Sequence, residues 1–150
     1  MREIKLLTVE PGPIAVVRKR TTFAEVPRAL FGALDAVYAT VRSGKIRQSG
    51  HNVAVYRPLG GGHVDLEAGV EVAAPFENVG GVVSSETPGG EVAMAEHIGP
   101  YDRLGETYDA IVAWVRANGR KLAGVNWEVY GDWSEDPAKL RADVYMMLVP

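Results

Sequence analysis

Residues 52–56 read NVAVY, and residues 126–130 read NWEVY, 74 positions further along. At the same offset AGVEV (68–72) stands over ADVYM (142–146). One offset kept across separate segments indicates an internal duplication. Both N…VY segments are rich in β-branched and aromatic residues and read as strands. Upstream of each lies a helical pattern, and upstream of that an apolar strand.

The first repeat covers about residues 13–76. PIAVVRKR (13–20) is its opening strand. Thr22 and Glu25 form the T-x-x-E pattern of a capping box, and Pro27 falls in the first helical turn, where a missing N–H costs little. Val26, Leu30, Leu34, Val37 and Val41 recur at three- or four-residue spacing, which predicts an amphipathic helix. HNVAVYRP (51–58) and GVEVAAPF (69–76) follow as strands, joined by LGGGHVDLEA, which reads as a mobile loop. The second repeat covers about residues 91–150. EVAMAEH (91–97) is a strand, and 99–119 a helix with Leu104, Tyr108, Ile111 and Val115 as its buried stripe. VNWEVYGDW and LRADVYMMLVP close the unit, and the linker 78–90 has room for one extra short strand. The expected fold is therefore α+β. It is a duplicated β-α-β-β repeat forming one domain over 1–150, with antiparallel sheet, two helices on one side and a ligand groove between the repeats.

Strand alternation in NWEVYGDW (126–133) puts Trp127 and Val129 on one face and Asn126, Glu128 and Tyr130 on the other. A carboxylate amid aromatic residues either faces water or has something polar or positive beside it, because burying it unpaired is costly. The first repeat carries Ala54 where the second carries Glu128, so this fold does not require an acid there. Tyr130 shares the face of Glu128 but stands about 7 Å along the strand, a distance read as too long for a direct hydrogen bond. Its repeat counterpart is Tyr56, which leaves a structural role open. Trp127 is expected in the core.

Other chemistries find little support. The chain has no cysteine, which excludes disulfides, thiolate metal sites and cysteine nucleophiles. His51, His63 and His97 lack metal-ligand spacing, so no metal and no cofactor are expected. GGGH (60–63) is followed by no Lys-Ser/Thr and no helix, and Ser84-Ser85 lacks a nucleophile-elbow setting. The net charge of −3 does not suit direct nucleic-acid binding, and Arg18-Lys19-Arg20 reads as a solvated edge. No segment reaches membrane-spanning length, and MREIKLLTVEPGP lacks the apolar run of a signal peptide, so a cytoplasmic protein is expected.

HIGPYDRLGETYDAIVAWVRANG, then AGVNWEVYGDW and ADVYMMLVP, resembles the GyrI-like, or effector-binding, domain family over nearly the whole chain. The G-P-Y before the second helix and the W-E-x-Y strand carry the resemblance. It implies an aromatic pocket with one glutamate that meets lipophilic cations. Glu128 matches that glutamate, Tyr145 matches an aromatic wall, and Tyr101 of GPY lies at the mouth of the second helix. The closing strand departs from the family by having Ala142 before Asp143-Val144-Tyr145 and MMLVP after it. Such domains form the ligand-sensing half of multidrug-responsive AraC- and MerR-type regulators. The two repeats here use all 150 residues and leave no helix-turn-helix region, so a stand-alone domain is expected.

Three functions follow as expectations. The first is a small-molecule binder, a sensor or sink, taking hydrophobic and often cationic compounds with Glu128 as counter-ion and Tyr101, Tyr130 and Tyr145 around it. The second is a hydrolase of strained or electrophilic small molecules, with Glu128 as its catalytic carboxylate. The third is an interaction protein resembling the gyrase inhibitors, with a protein partner or a second copy of the chain.

Overall fold

The computed structural model describes residues 3–150. Its architecture is α+β, with eight strands and two α-helices. The chain divides into two compact units: one is Pro11–Thr87, and the other combines the residues up to Glu10 with Pro88–Pro150.

Unit Pro11–Thr87 contains strands β2 (Pro13–Thr22), β3 (Gln48–Gly60), β4 (His63–Val72) and β5 (Val83–Glu86), with helix α1 (Val26–Arg42). Pairing runs β3–β4–β2–β5, all antiparallel. Ala15, Val37, Ile46, Val70, Val72 and Val82 form its apolar cluster, which joins α1 to the sheet. Two expectations are corrected here. The capping box does not form: Thr22 is the last residue of β2, and the 3-10 turn Phe23–Glu25 separates its hydroxyl from the first turn of α1. The expected mobile loop is mostly strand. Gly60, Gly61 and Gly62 take φ of 89°, 62° and 79°, a left-handed run open to glycine, so β3 turns tightly into β4.

The other unit contains β1 (Lys5–Val9), β6 (Gly90–Ile98), β7 (Leu122–Tyr130) and β8 (Arg141–Leu148), with helix α2 (Leu104–Ala117). Pairing runs β1–β6–β8–β7, again antiparallel. Ala93, Ala95, Ile111, Val115, Val144 and Leu148 form its core. Burying each of the larger aliphatic side chains stabilises the fold by about 1.5–3 kcal/mol. Leu104 and Tyr108 pack beside this core, while Thr107 joins Ile111 and Val115 as the fully buried residues of α2. The β-α-β-β order is thus present twice, with β4 at His63–Val72 where a strand over 69–76 was expected, and with two strands outside the repeats. Strand β1 lay outside both predicted repeats and pairs with β6, and the short strand expected in the linker is β5.

The register equates the repeats except in the N…VY strands: Asn52 faces Val70 as Glu128 faces Val144, so by register Asn52, rather than the Ala54 of the sequence offset, stands where Glu128 does. Ala15 pairs with Val70 as Ala95 pairs with Val144, so β2 corresponds to β6 and β4 to β8. Ala54 pairs with Ala68 on the face of Val70, and Glu128 pairs with Val144 itself. Ala54 and Glu128 therefore both lie on the helix-covered face of their sheets.

Candidate functional site

Glu128 is 5 % exposed, so the first of the two sequence readings, a solvated strand carboxylate, is not what the chain builds. What sits beside it is phenol. Tyr108, on the face of α2 turned toward β7, donates its hydroxyl to Glu128 Oε2 at 2.5 Å. Tyr130, two residues along the same strand face, donates to Oε1. Asn126 Nδ2 donates in turn to the Tyr108 oxygen at 3.0 Å. Asn126, Glu128 and Tyr130 thus share one face of β7, as alternation requires, and Tyr108 of α2 reaches across to them.

The direct bond from Tyr130 corrects the distance argument. Seven ångströms separate the backbones, but a tyrosine leaning along its strand carries its hydroxyl back over that span. Tyr101 completes the group. It opens the 3-10 turn Tyr101–Arg103 that leads into α2. Its ring meets Tyr130 edge-on, with centroids 5.4 Å apart and planes at 65°. Its hydroxyl donates to the Arg141 carbonyl at 3.3 Å. Burial, and then the negative charge of Glu128, push the Tyr101 phenol above its ordinary value. The field of Glu128 therefore reaches Tyr101, and Tyr101 stays a neutral phenol.

Tyr145 does not join this group. It pairs directly with Trp127 and stacks on it, with centroids 5.0 Å apart and planes at 7°. Trp127 points away from Glu128, so Tyr145 does too; the wall position implied by the resemblance lies on the opposite face of the strand pair. Trp127 itself is 3 % exposed, in the core as expected. Trp133, in the connection between β7 and β8, is 76 % exposed.

Two features escaped the sequence reading. Tyr108 was assigned to an apolar stripe; its hydroxyl was the available signal, since a half-buried phenol needs a partner. The other feature is a second buried carboxylate, Glu67 on β4. Arg18 Nε at 2.9 Å, Arg57 Nη1 at 2.8 Å and the Ser85 hydroxyl at 2.7 Å all donate to it. Burial raises the Glu67 carboxyl, but these donors outweigh it and hold it below the usual carboxylate range. Arg20 pairs with Asp65 through two hydrogen bonds. The basic run is exposed, as expected of a solvated edge, and two of its residues, Arg18 and Arg20, also serve as cross-strand partners. All four charges of Glu67 and Asp65 with Arg18 and Arg20 are spoken for by sheet neighbours, which fits a role in holding β2 against β4.

A groove of about 300 Å³ also lies in the Pro11–Thr87 unit, between β2 residues Val17, Lys19 and Thr21 and the start of α1. Among the described residues no group of His, Asp and Glu is arranged to hold a metal ion. No helix among them is long and apolar enough to cross a membrane.

Known structures share this fold. The C-terminal domain of EcmrR superposes with a TM-score of 0.83 at 16% identity, covering 99% of this chain and 98% of that one. In the EcmrR–DNA complex the TM-score is 0.79 at 17% identity, and the match covers 98% of this chain but 57% of that longer one. SAV2435 bound to tetraphenylphosphonium gives 0.68 at 11% identity, covering 98% of this chain and 94% of that one. No curated protein is similar to the chain at a significant level. The duplicated fold, the buried carboxylate on the W-E-x-Y strand and a family match over residues 2–149 agree, and the chain belongs to the GyrI-like small molecule binding domain family.

Proposed function

We propose that the chain binds a lipophilic organic cation against Glu128, with Tyr101, Tyr108 and Tyr130 as aromatic walls. The observation that carries this reading is the buried carboxylate with both oxygens held by phenol hydroxyls. Folding has already taken that charge out of water and fixed its direction, so a ligand meets a preorganised anion. A delocalised cation is weakly hydrated and loses little on entering. It gains Coulomb attraction in a low-dielectric setting and cation–π contact of about 0.5–2 kcal/mol with the tyrosine faces. An ammonium of the same charge is more strongly hydrated and is disfavoured. The presence of tetraphenylphosphonium on SAV2435, which shares the fold, supports this ligand class. In this reading the protein is a sensor or sink and releases its ligand unchanged.

The test is tryptophan fluorescence during titration with tetraphenylphosphonium, on wild type and Glu128→Gln, with each mixture examined for product. Saturable quenching that weakens by about tenfold or more in the variant, without product, is the expected result. Equal quenching in both proteins rejects the counter-ion. Turnover of an electrophilic compound that is lost in Glu128→Gln replaces the binder with a hydrolase.

A further inference from the structure

His97 is buried on β6, on the same sheet face as Ala93 and Ala95. Its Nε2 lies 2.8 Å from the Pro100 carbonyl. A carbonyl oxygen only accepts, so Nε2 carries the hydrogen. In the neutral ring Nδ1 is then an acceptor, and the Thr107 hydroxyl stands 2.8 Å from it, positioned to donate. Thr107 belongs to α2 and is buried, so the imidazole links three segments: strand, turn and helix. The Pro100 carbonyl also accepts the Arg103 N–H at 3.1 Å, and Gly99 N–H donates to the Leu140 carbonyl at 2.8 Å. The turn 99–101 is thereby fixed at its carbonyl by His97 and at its start by the strand next door. Tyr101 is the next residue after that carbonyl.

The repeat supplies an internal comparison. With Ala15 equivalent to Ala95, Val17 stands where His97 does. With Val37 and Ile111 as the matching core residues of the two helices, Ala33 stands where Thr107 does. The first repeat thus folds with Val and Ala in place of the His–Thr pair, and the 300 Å³ groove borders both residues. Neither member of the pair is demanded by the β-α-β-β unit. Glu128 shows a like asymmetry, since Asn52, opposite Val70, stands where Glu128 does opposite Val144. The repeat that holds the carboxylate is the one that holds the His–Thr pair.

We infer that His97, braced by Thr107, is a positioning residue for the ligand site: it fixes the Gly99–Pro100–Tyr101 turn and so sets Tyr101 edge-on against Tyr130. Its effect on ligand rests on the proposed cation site; its effect on Tyr101 does not. The hydrogen bond to Pro100 is the operative one, because it fastens the turn, whereas Thr107 selects the tautomer that makes it available.

Two substitutions separate these roles. Gln places a side-chain N–H near the former Nε2 and keeps the donor to Pro100, whereas Asn places its amide near the former Nδ1 and loses it. A double variant, His97→Val with Thr107→Ala, copies the pair with which the first repeat folds. The protein is labelled with 3-fluorotyrosine, Tyr101 is assigned by Tyr101→Phe, and its fluorine resonance is followed by NMR alongside tetraphenylphosphonium affinity and Tm. His97→Gln is expected to leave the Tyr101 resonance near its wild-type shift and affinity within about threefold. His97→Asn and the double variant are expected to move and broaden that resonance, leave the resonance of Tyr38, on α1 of the other unit and assigned by Tyr38→Phe, unmoved, and weaken affinity by about tenfold, one hydrogen bond's worth. Equal effects of Gln and Asn, scaling with Tm, would reduce His97 to a packing residue and overturn the inference, as would an unmoved Tyr101 in the double variant. If the double variant does not fold, the Gln and Asn pair decides. If wild type takes up no tetraphenylphosphonium, the cation-site reading fails, and the fluorine resonance still decides the role of His97.

Discussion

Tyr101 reports on Glu128 without any ligand. Its phenol is raised above the ordinary value of 10.0, by burial first and by the carboxylate charge second. A raised value means that the folded protein holds the Tyr101 proton more tightly than the unfolded chain does. The associated stabilisation is therefore complete below about pH 10 and is lost as pH rises through the folded value. Phenolate absorbance followed against pH, with Tyr101→Phe to identify the group, should show Tyr101 moving back toward 10.0 in Glu128→Gln. An unchanged titration would mean that the charge of Glu128 does not act on Tyr101. At this scale the sequence was informative where side-chain alternation alone decides. Glu128 and Tyr130 had to share a face; the sequence offset set Ala54 against Glu128, whereas the register sets Asn52 there, and either way the first repeat folds without the acid. It was uninformative where the register between strands decides. One step along β8 separates Val144, opposite Glu128, from Tyr145, opposite Trp127. Nothing local to ADVY says which of the two faces α2. Tyr108 was hidden for a related reason, since a helix residue that reaches a strand 18 positions later is placed by tertiary packing alone.

Among the elements, β4 carries two demands that its neighbours impose. Gly69 has no room for a side chain: a Cβ there would lie 1.8 Å from the Ala15 carbonyl oxygen on β2. Backbone cannot yield as a flexible side chain does, so Gly69→Ala is expected to cost about 3 kcal/mol or more. Denaturant unfolding measures it, and a change within error would show that β2 and β4 part easily. Glu67 is the second demand. Its carboxyl is held below the usual range by Arg18, Ser85 and Arg57 against the opposing effect of burial. A lowered value contributes stability that is present above the ordinary value of 4.5 and is lost as pH falls through the folded one. Glu67→Gln should therefore lose about 2 kcal/mol near neutral pH and show a flatter acid limb than wild type. Parallel acid limbs would contradict it. The helices and main strands were legible because their periods are long and their β-branched and apolar residues consistent. The short strand β1 was not, since KLLTV gives little to read until β6 lies beside it. The glycine run was misread as a mobile loop because glycine signals both slack chain and a tight left-handed turn.

Across the whole molecule the same β-α-β-β plan is used twice, and the two copies differ in ways the plan does not need. One copy has Asn52, Val17 and Ala33; the other has Glu128, His97 and Thr107 at the matching positions. Both copies hold buried polar groups, Glu67 with its arginines in the first, but the carboxylate held by phenols and the His–Thr pair belong to the second, where the proposed ligand site lies. A net charge of −3 adds a favourable long-range field for a cation, but direction and burial come from Glu128. The central claim is a coupling between two charges, so it is measured as one. Calorimetric titration of wild type and Glu128→Gln, each with tetraphenylphosphonium and with a neutral triarylphosphine oxide of similar size, closes a four-way cycle. The substitution is expected to weaken the cation by about 1.5 kcal/mol or more beyond its effect on the neutral compound, roughly tenfold in Kd. A coupling of zero, with both ligands weakened alike or neither affected, would contradict it and leave Glu128 as a carboxylate buried for the sake of Tyr108 and Tyr130.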